Sequence, residues 1–150
     1  MKKFYIGASA FGKGLFATHL IKKGEVILKF QGPLITFKQI LKTKDGIPLQ
    51  IGPDCYIYLR KSGRFANHSC SPNTGIKKDH FLVALKDINK GEELFFDYST
   101  AMDEDCWTLK CRCNSKNCRK LIIDFKYLPK KTRDKYLKLG IVQKFISEQF

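Results

Sequence analysis

Apolar residues run through this chain in short stretches, each broken by glycine, proline or a charged turn, a pattern that predicts many short strands and few helices. Residues 4–10 read as a first strand, and the turn Gly12-Lys13-Gly14 leads into a second, Leu15-Phe16-Ala17. Lys22-Lys23-Gly24 turns again, and Glu25 to Phe30 alternates as a strand. From Gly32 to Pro53 the pattern is interrupted by Pro33, Gly46, Pro48 and Pro53. Phe37, Ile40 and Leu41 allow one short helix there, and the segment reads as decoration without chemistry. Cys55 to Leu59 is a strand with Tyr56 and Tyr58 on one face and Cys55, Ile57 and Leu59 on the other. The continuous run Phe81 to Leu85 predicts a buried strand, Asp87 to Gly91 a turn, and Glu92 to Tyr98 a further strand. Pro129 opens a helix that Gly140 ends, and Ile141 to Phe150 reads as another.

One stretch fits neither period. Residues 64–73, Arg-Phe-Ala-Asn-His-Ser-Cys-Ser-Pro-Asn, gather turn formers between apolar strands. Such a run is ordinarily a solvated loop. Its flanks, and a lone Cys70 whose obvious partners lie in a cysteine cluster far along the chain, point instead to a loop held inside the fold. There each donor and acceptor needs a partner.

Composition sharpens this. A chain of 150 residues, 43% hydrophobic, makes one domain with a real core. The formal charge of +14 points to an anionic partner: nucleic acid, an acidic protein face or a membrane surface. No apolar run is long enough to span a bilayer. The opening Met1-Lys2-Lys3 and the apolar residues after it imitate a secretion signal, but Gly7 and Ser9 interrupt them. Without export, the six cysteines are expected as thiols or metal ligands rather than disulfides.

Cys111-Arg-Cys113-Asn-Ser-Lys-Asn-Cys118 is the sharpest local signal. Three closely spaced thiols suit a tetrahedral zinc site, and a Cys111–Cys113 disulfide would close a strained ring. A fourth ligand is required. Cys70, Cys106 and Cys55 are the candidates, with Cys70 preferred because ligation would fold the tail over the polar loop. From Lys110 to Lys144 twelve cations face only Asp124 and Asp134, an imbalance that favours contact with a polyanion. Gly12-x-Gly14 alone is weak. It lacks the third glycine and the helix of a dinucleotide site.

In combination, Gly12-Lys-Gly14, Arg64 to Asn73, Gly91-Glu-Glu-Leu-Phe-Phe96-Asp-Tyr98 and the final Cys-x-Cys-x4-Cys resemble the SET-domain protein lysine methyltransferases with a post-SET zinc segment. The resemblance covers residues from about 4 to 121. It is to a compact, microbial-type member, with Asn114 and Lys120 standing where many relatives have glycine. It implies a mostly β fold with short helices: small curled sheets of β-clip type, a C-terminal pseudoknot, a post-SET zinc loop and a helical tail. The implied division is a SET domain over 1–100, a zinc segment over 101–121 and a basic helical tail over 122–150.

The implied activity is transfer of methyl groups from S-adenosylmethionine to a lysine amine of a histone or other basic protein, ending at the di- or trimethyl state. The resemblance also assigns residues. Gly12, Lys13, Gly14, Leu15, Arg64, Phe65, Asn67, His68, Tyr98, Trp107 and Leu121 would surround the cofactor. Tyr98 would be the catalytic tyrosine, and His68 a cofactor contact rather than a base. Tyr56, Tyr58 and Phe96 would line the substrate channel. Cys70, Cys111, Cys113 and Cys118 would hold one structural zinc. Glu92, Glu93, Asp103, Glu104 and Asp105 are expected to form an acidic path for a basic peptide, and the basic tail to dock on nucleic acid or an acidic protein surface. No membrane partner is expected. The implied place is intracellular: cytoplasm or nucleoid in a prokaryote, nucleus or chromosome in a eukaryote. The rival reading is a non-catalytic, zinc-stabilised nucleic-acid or chromatin binding module.

Overall fold

The computed structural model describes residues 1–43, 48–106 and 108–150. Gly46 and Trp107, both singled out above, lie outside the described residues. The described strands form five small sheets rather than one large one. β1 (Phe4–Ser9) and β2 (Gly12–Ala17) make a hairpin in which Ser9 faces Gly12, so Ala10 and Phe11 form the turn. The expected turn at Gly12–Gly14 is therefore the first part of a strand. The backbone bends two residues earlier, and Gly12, at φ +98°, takes up the conformation this hairpin needs.

β3 (Val26–Lys29), β8 (Thr74–Lys77) and β9 (Phe81–Ala84) form an antiparallel sheet in the order β3-β9-β8. A second three-stranded sheet, β4-β6-β5, comes from β4 (Leu34–Ile35), β5 (Pro48–Gly52) and β6 (Cys55–Tyr58). Two of its strands belong to the segment expected to be decoration. Pro48 hid β5, because proline lacks a ladder donor, but here it occupies the first strand position, where no donor is needed. α1 (Phe37–Ile40) is the short helix expected between β4 and β5, closed by a reciprocal Thr36–Gln39 capping box.

The pairing that organises the chain is shorter still. β7 (Asn67–His68) lies parallel to β10 (Phe95–Phe96), with Asn67 opposite Phe95 and His68 opposite Phe96. Of the strand expected over 92–98 only β10 and a bridge from Glu93 to Phe16 remain, because Asn73 takes over the edge. The Asn73 amide donates to the Glu93 carbonyl at 2.7 Å and accepts from the Phe95 N–H at 2.8 Å. Thr74 adds a hydroxyl bond to the Phe95 carbonyl at 2.7 Å. The polar loop is thus stitched to β10 by side chains as well as backbone.

The main core, with Leu15, Ile21, Phe30, Leu82, Ile88, Leu94 and Phe96, lies between these sheets. A second core forms after β11 (Leu109–Lys110) and β12 (Leu121–Ile122), from Phe125, Leu128, Tyr136, Ile141 and Ile146. It is carried by α2 (Lys130–Leu139), which Gly140 ends at φ +64°, and α3 (Lys144–Ser147). The second helix expected over 141–150 is reduced to α3. Residues 141–143 remain extended because they dock: Gln143 donates its side-chain N–H to the carbonyls of Gln50 and Asp79 and its backbone N–H to Thr100. Ile141 rests on Gly75, where a Cβ would come within 2.6 Å of the Ile141 side chain. Among the described residues no helix is long and apolar enough to cross a membrane.

Candidate active site

Asn67 and Tyr98, distant in sequence, meet through β7 and β10. The Tyr98 phenol donates to the Ala66 carbonyl at 2.8 Å, and its backbone N–H donates to His68 Nδ1 at 3.1 Å. Its ring packs against Phe96 and His68, with centroids 4.9 and 5.3 Å away. Burial first, and then the negative charge of Glu93, push the Tyr98 hydroxyl well above the ordinary phenol range. It therefore stays a protonated hydrogen-bond donor and is no general base at neutral pH.

Tyr98 forms a wall of two pockets. One is narrow, apolar and about 50 Å³, lined among others by Pro48, Leu49, Leu59, Ala66, Phe96 and Met102. The other lies behind the cysteine loop and is lined by Phe11, Asn67, His68, Arg112, Ile122 and neighbouring residues. Leu109 also borders both.

The residues expected around a cofactor divide between these places. Asn67 Nδ2 donates to the Lys13 carbonyl at 2.9 Å and to Glu93 Oε1 at 2.8 Å. Two acceptors on the nitrogen side fix the amide orientation and leave Oδ1 for a ligand's donor. Glu93 also receives the Ser9 hydroxyl, at 2.8 and 3.0 Å to its two oxygens, and its carboxylate fills the space a Cβ at Gly14 would need. Lys13 lies over the Phe65 ring at 5.6 Å. Leu15 is core, with its carbonyl taken by the Leu94 N–H. Arg64 borders the narrow pocket instead. Leu121 is 48% exposed and lines neither pocket, while its neighbour Ile122 does.

Of the expected channel residues, Phe96 lines the narrow pocket and the two tyrosines do not. Tyr56 lines an adjoining groove with Phe37, Asp54, Asp103 and Asp105, and donates to Glu104 Oε2 at 3.2 Å. Glu104 borders both the groove and the narrow pocket. Tyr58 sits on β6, with its carbonyl tight against Gly32. The expected acidic path is accordingly shorter. Glu92 accepts from the Asn89 N–H to close a turn, and Glu93 belongs to the Asn67 clamp.

The thiols of Cys70, Cys111, Cys113 and Cys118 lie within 4.8 Å of one another, with Cys111 3.7 Å from both Cys70 and Cys118. Four thiolates about 2.3 Å from one tetrahedral centre would stand roughly 3.8 Å apart, so the cluster fits zinc. Cys106 is exposed and Cys55 lies on β6, both outside the cluster, so the sulfur that joins the three closely spaced thiols is that of Cys70. Donors surround Cys70: the Arg119 N–H and His68 Nε2 are each 3.4 Å from its sulfur. Burial lowers the His68 pKa to about 4 against the opposing pull of Asp97, so the ring is neutral. Because Nδ1 accepts from Tyr98, the proton sits on Nε2 and points at the thiol. The 3.5 Å approach of His68 to Asp97 is therefore not an ion pair.

Sequence reasoning missed Asp97 and Arg119. Asp97 is 1% exposed and takes both terminal nitrogens of Arg119, at 2.8 and 2.9 Å, together with the Tyr136 hydroxyl at 2.9 Å and the Ser99 N–H at 3.1 Å. A buried carboxylate next to the candidate tyrosine demands a cation. A lone arginine inside a basic tract gave no sign that it was the one.

A clip of small sheets holding a tyrosine between two pockets, locked by a cysteine cluster, defines a SET-type transferase domain. The chain belongs to the SET domain family, the family of protein-lysine N-methyltransferases: the family model matches residues 12–99. It is 30% identical over 142 residues to the histone-lysine N-methyltransferase trithorax of Drosophila virilis, covering 80% of this chain and 4% of that protein. It is 30% identical over 135 residues to human histone-lysine N-methyltransferase 2B, covering 74% of this chain and 5% of that one. The chain thus spans about a twentieth of these relatives. The methyltransferase domain of human histone-lysine N-methyltransferase SETMAR superposes with a TM-score of 0.65 at 24% identity, over 81% of this chain and 58% of that one. KRYPTONITE, solved with mCHG DNA and SAH, gives 0.66 at 24% identity, over 80% and 29%. These two likenesses establish the fold.

Replacing Arg119 by Met leaves the Asp97 charge buried without its cation and is expected to cost about 3–5 kcal/mol of unfolding free energy. Urea denaturation checks it. A loss below about 1 kcal/mol, the scale of an exposed pair, would show that the pair does not tie the cysteine loop to the core.

Proposed function

We propose that this chain transfers methyl groups from S-adenosylmethionine to the side-chain amine of lysine in a basic protein, histones being the substrate of its named relatives. The observation that carries this reading is Tyr98 standing between two pockets, one apolar and lysine-sized, the other bordered by the Asn67 amide. The second pocket suits the cofactor chemically. Phe11, Leu109 and Ile122 offer apolar faces, Lys110 and Arg112 suit a carboxylate, and Asn67 Oδ1 suits an ammonium group. When bound, the cofactor supplies a methyl group on positively charged sulfur.

The chain's own residues then have defined tasks. An amine must arrive uncharged, which at pH 7 costs roughly 4.6 kcal/mol from a reference lysine pKa near 10.4. The walls of Leu49, Leu59, Phe96 and Met102 exclude water and lower that cost by desolvating the cation. Tyr98, with its proton committed to Ala66, presents its oxygen lone pairs to the reacting groups and aligns them. Phe96, lacking a hydroxyl, leaves space beside Tyr98 for an already methylated nitrogen. The groove that reaches the narrow pocket through Glu104 carries Asp54, Asp103 and Asp105, which suits a basic peptide. Cys70, Cys111, Cys113 and Cys118 would hold one zinc ion, which would tie the cysteine loop down as a structural site rather than supply chemistry to the transfer.

This reading keeps the division at residues 100 and 121, with catalysis in the first segment and zinc binding in the second. It places the protein at the nucleus or chromosome in a eukaryote, and in the cytoplasm or nucleoid in a prokaryote. The non-catalytic alternative gives no task to the paired pockets at Tyr98.

Tyr98→Phe is expected to abolish methyl transfer to histone peptides while cofactor affinity changes little; undiminished turnover would remove the phenol from the mechanism. Mass spectra of the wild-type product should show two or three methyl groups on one lysine, and accumulation of a single methyl only would contradict the role given to Phe96. Metal analysis should find one zinc per chain, lost in Cys111→Ser together with thermal stability. Full zinc retention in that variant would overturn the ligand set.

A further inference from the structure

The basic C-terminal region is not evenly charged once its contacts are counted. Arg119 is held by Asp97, Lys126 by Asp103 and Asp105, Lys130 by Asp134, and Lys144 by Glu148. Arg133 donates to the Lys126 carbonyl and lies over the Phe150 ring at 5.2 Å. Among the described residues no carboxylate pairs with Lys110, Arg112, Lys116, Lys120, Lys131, Lys135 or Lys138, all of them exposed. Three of these seven, Lys116, Lys131 and Lys135, meet in one place. A groove runs between the cysteine loop and α2, with Lys116 and Asn117 on one wall, Lys131, Thr132 and Lys135 on the other, and Arg119 in its floor.

We infer that this groove docks the phosphate backbone of a nucleic acid, an interaction separate from methyl transfer. Lys131 and Lys135 stand one helical step apart, about 6 Å along the α2 axis, and Lys138 continues the row. Such a row matches a partner with closely repeated negative charge, which duplex DNA provides every ~1.7 Å of its axis. The lining also argues against a protein partner. Protein interfaces are depleted in lysine at their centre and rich in exposed aromatics, whereas the aromatic here, Tyr136, is buried with its hydroxyl on Asp97. Asn117 and Thr132 add neutral donors suited to phosphate oxygens. Charge is also sorted between sites. The groove beside the narrow pocket is lined by Asp54, Asp103, Glu104 and Asp105, so a basic peptide and a polyanion are drawn to different surfaces.

The test compares the full chain with the triple variant Lys116→Gln, Lys131→Gln, Lys135→Gln. A control, Lys42→Gln, Lys77→Gln, Lys90→Gln, removes equal charge from exposed positions elsewhere. Polarisation of a labelled duplex of about 20 base pairs, and of a single-stranded RNA of similar length, is followed from about 50 to 200 mM salt. The groove variant should bind at least about tenfold more weakly, with a log–log salt slope shallower by about 2–3, as expected for roughly 0.9 per lost phosphate contact. The control should keep the wild-type slope. Equal losses in both variants would mean that net charge alone attracts the polymer and would overturn the site. So would absence of binding by the wild type, or tighter groove-dependent binding of polyglutamate than of either nucleic acid. Methylation of a short lysine peptide, measured in parallel, should be the same in all three proteins. Its absence would count against the methyltransferase reading and leave the groove result standing.

Discussion

Everything near the candidate site depends on one buried carboxylate. Asp97 has no access to water, so its charge must be met inside the protein, and the groups that meet it come from three parts of the chain. Arg119 reaches in from the cysteine loop, Tyr136 from α2, and the Ser99 N–H from the turn that follows. A buried ion pair of this kind contributes little net stability, because desolvating two charges offsets most of their attraction. We read it as a registry device. It accepts only one placement of the cysteine loop and of α2 relative to Tyr98, and a shifted arrangement would strand a charge.

The polar loop is the second half of the same construction. Asn67, His68, Cys70 and Asn73 are distributed among separate partners: Glu93 and Lys13, the Tyr98 N–H, the thiol cluster, and the edge of β10. A neutral His68 couples two of these, since the ring that accepts from Tyr98 directs its remaining N–H at Cys70. The cysteine cluster and the candidate tyrosine are thus joined by a hydrogen-bonded path one side chain long. Ligation of the four sulfurs would therefore fix the ring that borders the second pocket.

How much of this could be read beforehand follows from range. Local signals were legible: the strands at 55–58 and 81–84, the helix between Pro129 and Gly140, and the thiol spacing. The loop at 64–73 was recognisable as internal because its polarity was unexplained. Pairings set by tertiary contact were not legible. β10 is two residues long, and the side chain of Asn73 replaces a strand neighbour there, which no periodicity reports. β5 was obscured by its opening proline, and the hairpin bend fell at Ala10-Phe11 rather than at the glycines. Glu93 read as part of an acidic path for a basic peptide. Only the fold shows that it holds Asn67, and that Gly14 is bare because a carboxylate occupies its side-chain space. Tyr56 was placed on the right strand but lines the neighbouring groove, since one face of a curled sheet does not lead to one cavity.

The same logic shows how a chain of charge +14 could accommodate the cationic substrate proposed for it. Net charge governs approach from beyond a screening length of about 8–10 Å; within that distance only the local lining counts. Asp103 and Asp105 hold the nearby Lys126, so that cation is spent on the groove's own acids. Arg119, whose partner Asp97 precedes Tyr98 in the chain, is likewise neutralised by that carboxylate. Part of the remaining positive charge, Lys116, Lys131 and Lys135, lies in the groove between the cysteine loop and α2, whose lining shares no residue with the narrow pocket. The basic surface and the narrow pocket can coexist because Lys126 and Arg119 are paired with carboxylates, while Arg64, which borders the pocket, lies over the Phe65 ring.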